Sequence, residues 1–185
     1  MDFFKNRKTA VAVFVIVVAL FAVLGCHRSL TKACAQVEQA FFEPSVSEGY
    51  YSCPGDQLEY AARYANRLLS VIGGQLSDSV YNSLAQCRRA LIDALEARDI
   101  SDIYSAQVAL TQAVQAADSE ALALGVREEM ADFSAIISDY NSAISEAADS
   151  DYNDSVDAFI ASIANRFPAN LLRRITAVEM PEKYI

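Results

Sequence analysis

The chain has 185 residues, which is enough for one domain with a buried core and a membrane anchor. Hydrophobic residues make up 53% of it, with only 6 Gly and 4 Pro, so the composition favours a helical protein over a loop-rich one. Residues 33–185 carry twenty-three acidic and ten basic side chains, with thirteen acids against one base between Asp99 and Asp157. Such a domain is repelled by nucleic acid and by anionic lipid headgroups, which argues against DNA or RNA binding.

The N-terminus carries the pattern of a membrane anchor. A basic flank at residues 1–8, with Lys5, Arg7 and Lys8, precedes an apolar run over residues 9–26. This run is close to the lower limit for a helix that crosses a bilayer, and soluble helices are rarely apolar all round. We therefore predict a transmembrane segment at 9–26, followed by a helical bundle domain at 27–185.

Two forms of attachment fit this segment. The letters VLGC that end at Cys26 resemble a bacterial lipobox, which makes Cys26 a candidate for lipidation. The alternative is an uncleaved single-pass anchor, which we favour because Leu24 is not the small residue preferred before the Gly. The charges ahead of the span outweigh Arg28 and Lys32 behind it, so the positive-inside rule predicts an extracytoplasmic domain at the cell membrane.

The rest of the chain predicts helices, since it contains no long alternating run and no hairpin turn signal. Apolar residues recur every three or four positions, which places them on one face of each helix. Gly73, Ser101 and Gly125 serve as stop or cap residues. The junction at Asp99 leaves open whether the third and fourth helices are separate or form one kinked rod. The predicted helices are 29–42, continuous with the anchor, then 56–72, 77–98, 101–124 and 126–166, with a loop at 43–55.

The helix predicted at 126–166 is the longest, because it contains no Pro or Gly before Pro168. About forty residues correspond to a rod of roughly 60 Å, whose apolar stripe needs cover from other helices. We therefore predict an all-α fold, with a membrane helix followed by an antiparallel up-and-down bundle of long helices. The tail is expected to fold back through Leu171, Leu172, Ile175, Val178 and Ile185. The stripe consists of Phe133, Ile137, Tyr140, Ile144, Ala148, Tyr152, Val156, Phe159 and Ile163.

The end of this predicted helix resembles the LemA family of bacterial membrane proteins, with Ile160 standing where a second Asn is usual. The resemblance implies a divergent member with an N-terminal span and a bundle of long helices, and it brings no established activity. The residues that match the family motif are Tyr152, Asn153, Val156, Phe159, Ile163, Phe167 and Pro168.

Signatures of catalysis and of cofactor binding are lacking. His27 is the only histidine and lies at the membrane exit, so a Ser/His or Cys/His nucleophile pair inside the domain is not expected. The run from Asp149 to Asp154 begins like an EF-hand loop but lacks Gly at the sixth position and Glu at the twelfth. We predict no catalytic, cofactor-binding or metal-binding residue.

The cysteines admit two interpretations. Cys34 and Cys87 lie on apolar stripes and are most simply buried thiols. Cys53 lies in the predicted loop, so a Cys34–Cys53 or Cys53–Cys87 disulfide remains possible if the domain is outside the reducing cytosol.

Our leading hypothesis is a non-enzymatic, membrane-tethered bundle that acts as a scaffold or as a protein-interaction and assembly module at the cell envelope. Its partners are the membrane and either other proteins or further copies of itself. The alternative is a lipoprotein, lipidated at Cys26, that holds a small cationic or amphipathic molecule between its helices. That alternative predicts a pocket lined by Tyr50, Tyr51 or Tyr60.

Overall fold

A computed structural model describes residues 7–43, 53–130, 132–165 and 169–185. All regular secondary structure in these ranges is helical, which confirms the all-α prediction. The helices, in chain order, are α1 (Arg7–Phe42), α2 (Pro54–Ile72), α3 (Asp78–Ala97), α4 (Ile100–Ala123), α5 (Val126–Glu129), α6 (Phe133–Ala148), α7 (Tyr152–Ala164) and α8 (Ala169–Thr176).

The chain divides into two compact units. The first unit takes the described residues of Met1–Glu38 and Asp154–Pro181, and the second unit takes those of Gln39–Asn153 and Glu182–Ile185. Helices α1 and α7 therefore contribute residues to both units, whereas α2 to α6 lie wholly in the second.

Helix α1 contains the apolar segment predicted at the N-terminus. An 18-residue window of this helix has a mean hydropathy of 2.9, and none of that window is buried. Among the described helices, α1 is the one long and apolar enough to cross a membrane. It runs through Gly25 to Phe42 without interruption, which confirms the predicted continuation beyond the apolar segment.

The core of the second unit is built by α2, α3, α4 and α6. Helix α2 contacts α3 and α6, and α3 contacts α4. Helix α4 follows its predicted apolar face, because steps of three and four keep side chains on one side of a helix. Its buried residues include Ile103, Gln107, Leu110, Val114, Ala117 and Ala121.

Helices α2 and α6 bury small side chains. Ala61 and Ala65 on α2, with Ala143 and Ala147 on α6, are each no more than 3% exposed. Small side chains allow two helix axes to approach closely, so the two helices have little room for larger residues here. One polar bond also joins them, in which Nε2 of Gln57 donates to a carboxylate oxygen of Glu146 at 2.6 Å.

A polar cluster connects α4 and α6. Tyr140 is 2% exposed, and its hydroxyl lies 3.0 Å from the Thr111 hydroxyl oxygen, which also accepts a hydrogen bond from Gln107. Burial raises the pKa of Tyr140 to about 12, because the phenolate would lose its hydration. The neutral phenol therefore persists at physiological pH, and its polar atom is satisfied inside the core.

The single helix predicted at 126–166 is wrong. Helix α5 ends at Glu129, α6 ends at Ala148, and α7 begins at Tyr152. A turn occupies the Asp-Ser-Asp run at 149–151, and the Asp149 amide still donates to the Ser145 carbonyl at 2.8 Å. Asp and Ser side chains compete with the helical backbone for hydrogen bonds, which accounts for an interruption at this point.

The buried face of α6 also differs from the predicted stripe by one position. At three places the residue before the predicted one is buried, while Phe133 and Tyr140 are buried as predicted. The three buried residues are Ile136, Ala143 and Ala147, in place of Ile137, Ile144 and Ala148.

Helices α3 and α4 are separate. Helix α3 ends at Ala97, and Arg98 adopts the left-handed conformation with φ at 57°. The N-cap of α4 is Asp99, whose carboxylate accepts a hydrogen bond from the Asp102 amide at 3.0 Å, so the predicted cap at Ser101 is wrong. A carboxylate at this position satisfies an amide that has no partner within the helix.

Among the tail residues predicted to pack, Val178 is buried as predicted, three are exposed, and the side chain of Leu172 lies outside the described residues. The side chains of Leu171, Ile175 and Ile185 are 51% to 70% exposed, so the predicted fold-back is wrong for them. Val178 is buried in the first unit, and Tyr184, only 5% exposed, is buried in the second.

Candidate functional site

The four cysteines are free thiols in the structure. Cys34 is buried in α1, Cys53 is buried at the N-cap of α2, and Cys26 and Cys87 are half-buried. Neither disulfide considered for Cys53 is formed. Burial raises the pKa of the Cys53 thiol, and the neighbouring Asp56 side chain adds to this effect, so the thiol stays protonated at neutral pH.

The Tyr-Asn pair of the family motif holds the C-terminal tail of the second unit. The Tyr152 hydroxyl donates to the Glu182 carbonyl at 2.7 Å. The Asn153 side chain donates to the Tyr184 carbonyl at 2.8 Å and accepts from the Tyr184 amide at 2.9 Å. The Asn amide therefore satisfies both main-chain groups of one residue, as a neighbouring β-strand would.

The Tyr184 ring completes this attachment. Its centroid lies 5.3 Å from that of Phe41 and 5.5 Å from that of Tyr104, and Tyr152 is 5.1 Å from Phe41. Burial raises the pKa of Tyr184 above its ordinary value, which keeps the phenol neutral. The Glu182 carboxylate accepts from the Ser101 amide at 3.2 Å, in the first turn of α4. Main-chain, aromatic and helix-capping contacts therefore all fix residues 182–185.

The other motif residues lie in the first unit or outside the described residues. Val156 and Ile163 are buried on one face of α7, and Phe159 is half-buried. Phe167 and Pro168 fall outside the described residues. The motif residues that the structure describes are therefore structural in character.

The second unit also contains a pocket of about 610 Å³ between α2, α3 and the end of α1. Four arginines line it, namely Arg63, Arg67, Arg88 and Arg98. Two of them have local partners: Arg63 forms an ion pair with Glu59 at 3.5 Å, and the Arg98 guanidinium lies 5.0 Å from the centre of the Phe42 ring.

The other two arginines of the pocket, Arg67 and Arg88, form no ion pair with any described residue. The Nε atom of Arg88 is buried and has no hydrogen-bond partner among the described residues. A buried donor without an acceptor costs about 1–3 kcal/mol, and more when it is charged. Arg88 is therefore the pocket residue whose bonding is incomplete.

The remaining pocket wall is mixed. Asp56, Glu59 and Glu96 contribute carboxylates, and Ala62, Ile92 and Leu95 contribute apolar surface. A pocket with an apolar wall, a few convergent polar groups and a volume of several hundred Å³ is typical of small-molecule sites.

Of the tyrosines predicted for a ligand pocket, Tyr60 is described and is not among the residues that line this one. Tyr60 is 44% exposed, and its ring lies 5.4 Å from the Arg63 guanidinium carbon. Tyr50 and Tyr51 fall outside the described residues. The four arginines of the pocket are spread over residues 63–98, and no local pattern in the sequence marks them as a group.

Comparison with protein-family models, with curated proteins and with solved structures finds no match to this chain. The function is therefore inferred from the sequence and the structure of this chain alone. Within the ranges that the structure describes, no group of three or more His, Cys, Asp or Glu side chains is arranged to hold a metal ion.

We expect Asn153→Ala to lower the free energy of unfolding by about 1–3 kcal/mol, because both main-chain groups of Tyr184 lose their partner in a half-buried position. Asn141→Ala is the matched control, since Asn141 also follows a buried tyrosine but is exposed. It should change stability by less than about 0.5 kcal/mol. Chemical denaturation followed by circular dichroism measures both values, and equal losses would contradict the role of Asn153.

Proposed function

We propose that this protein is a membrane-tethered helical bundle of LemA type that acts by binding other proteins or by self-association at the cell envelope. The main evidence for membrane attachment is the 18-residue apolar window of α1, none of which is buried. Exposed apolar surface of this extent is unfavourable in water and favourable in lipid. The LemA type rests on the motif that runs from Tyr152 to Pro168 in the sequence.

The charge of the chain supports a protein partner. Thirteen acids and one base lie between Asp99 and Asp157, which disfavours nucleic acid and an anionic membrane surface as partners of this part of the chain. The end of α4 offers apolar contact points, since Leu122 and Leu124 are 58% and 54% exposed. A basic or neutral protein surface with an apolar centre is the partner that this combination favours.

The proposed role is non-enzymatic. The one histidine of the chain is His27, which lies in α1 immediately after the apolar run. Cys53, which is buried and protonated, is not a nucleophile at neutral pH. These features support binding rather than catalysis.

The interaction role is tested by photo-crosslinking in cells. A photoreactive amino acid at Leu122 or Leu124 should give discrete adducts with a protein or with a second copy of this chain. The same group at Gln115, which is exposed on α4, is the matched control and should give none. If all three positions behave alike, the end of α4 is not a contact surface and the proposal loses its support.

The orientation is tested by protease treatment of intact, wall-stripped cells. We expect digestion of the domain without lysis, because Lys5, Arg7 and Lys8 favour a cytoplasmic N-terminus. Replacing these three residues by Gln should produce a protected fraction. Full protection of the wild-type domain would place it in the cytoplasm instead.

The lipoprotein alternative is tested by intact-mass spectrometry of the purified protein. We expect a mass that includes the N-terminal segment, and for Cys26→Ser a mass that differs only by the replacement of sulfur with oxygen. A mature protein that begins at a lipid-modified Cys26, and that is not processed in Cys26→Ser, would establish the alternative.

A further inference from the structure

We propose that the pocket between α2, α3 and the end of α1 binds an amphipathic phosphate ester, held through Arg67 and Arg88. This inference goes beyond the interaction role and does not depend on it. Both arginines line the pocket, and neither forms an ion pair with a described residue.

The distribution of charge in the chain singles out this pocket. Residues 33–185 carry ten basic side chains among twenty-three acids, and four of the ten line this one cavity. Three carboxylates, Asp56, Glu59 and Glu96, share the lining, so the cavity keeps a formal excess of one positive charge in a domain that is otherwise acidic. This excess, together with the buried Nε of Arg88 that has no partner among the described residues, favours a negatively charged ligand, whereas the alternative considered from the sequence has a cationic or amphipathic one.

Arg67 and Arg88 are separated along their helices from two of the three carboxylates of the pocket. Helices α2 and α3 are joined by the short connection 73–77, so they run as antiparallel neighbours. Arg88 and Glu96 are eight residues apart on α3, or about 12 Å, and Arg67 and Asp56 are eleven apart on α2, or about 16 Å. Asp56 and Glu96 therefore stand more than two helical turns from Arg67 and Arg88 along their own helices, and the third carboxylate, Glu59, is paired with Arg63.

The bonding state of the arginines favours a phosphate over a carboxylate. Glu59 already pairs with Arg63, and the Asp56 side chain interacts with the Cys53 thiol. Two guanidinium groups, Arg67 and Arg88, remain to be neutralised, and a phosphate monoester carries close to two negative charges. Its three free oxygens accept from two guanidinium groups at once, including the buried Nε of Arg88 that has no acceptor.

The apolar wall accounts for the rest of the ligand. Ala62, Ile92 and Leu95 face the cavity beside the arginines. A volume of about 610 Å³ exceeds the volume of a phosphate ion several-fold and lies within the range of organic ligand sites. The ligand is therefore an ester of phosphate with an apolar group, either a free metabolite or the headgroup region of an anionic lipid.

The test uses the full chain in a neutral detergent and isothermal titration calorimetry. The probe is phenyl phosphate, with phenol and benzylamine as the uncharged and cationic controls. We expect binding of phenyl phosphate alone, with an affinity that falls as salt is added. Dihexanoyl phosphatidic acid below its micellar concentration is the second probe, and the tighter of the two identifies a free or a lipid source.

Three variants locate the binding. Arg67→Met and Arg88→Met keep the length of the side chain and remove its charge, and each should weaken binding at least tenfold. Arg89→Met is the matched control, because Arg89 adjoins Arg88 on α3, is exposed and does not line the pocket. Its affinity should equal that of the wild type.

Several results would overturn the proposal. These are no binding of either phosphate probe by the wild type, equal binding of benzylamine, or equal losses in Arg67→Met and Arg89→Met. Circular dichroism melting establishes that each variant is folded. Arg67 is exposed on α2, so its variant keeps the test decisive even if Arg88→Met does not fold.

Discussion

Close packing around α2 is the constraint on which the second unit depends. This helix contacts both α3 and α6, and three of its nine buried residues are alanine. Alanine costs little conformational entropy in a helix and allows a neighbouring helix to approach closely. The face of α2 that carries Arg63 and Arg67 lines the pocket with α3. One helix therefore supplies both the tight side of the bundle and the wall of its cavity.

Where the sequence pattern is unambiguous, it predicts the structure well. On α4, the positions predicted from three- and four-residue spacing are buried from Ile103 to Ala121, and only the last predicted position, Leu124, is exposed, at 54%. The apolar window of α1 also predicts its structure unambiguously, because a helix on the surface of a soluble domain has apolar residues on one face only.

The prediction of a long helix at 126–166 failed for a definable reason. Apolar residues stand side by side at 136–137, 143–144 and 147–148, so two adjacent stripes fit the same sequence. The stripe through Ile137, Ile144 and Ala148 continues past Asp149 to Tyr152 in α7, and it therefore predicted one unbroken helix. Asp149, Ser150 and Asp151 have poor helix propensity and form a turn that interrupts the helix. The apolar stripe resumes after this turn, in α7.

The pocket and the tail attachment were beyond the reach of local patterns. Each arginine of the pocket looks like an ordinary surface charge, and only the packing of α3 against α2 brings Arg67 and Arg88 to one cavity. In the same way, nothing near Asn153 indicates that its amide bonds a residue thirty-one positions later. Long-range pairings of this kind depend on the register of the folded helices, which periodicity does not encode.

The pairing between Asn153 and Tyr184 has an asymmetric consequence for sequence tolerance. Asn153 binds the main-chain N–H and C=O of residue 184 and not its side chain. These two hydrogen bonds therefore do not depend on which residue stands at position 184. Position 153 has no such freedom. An aspartate cannot donate, and a glutamine places the same amide one carbon further from the backbone. Variation in the tail is therefore limited by the aromatic pocket of Phe41 and Tyr104, while variation in α7 is limited by hydrogen-bond chemistry.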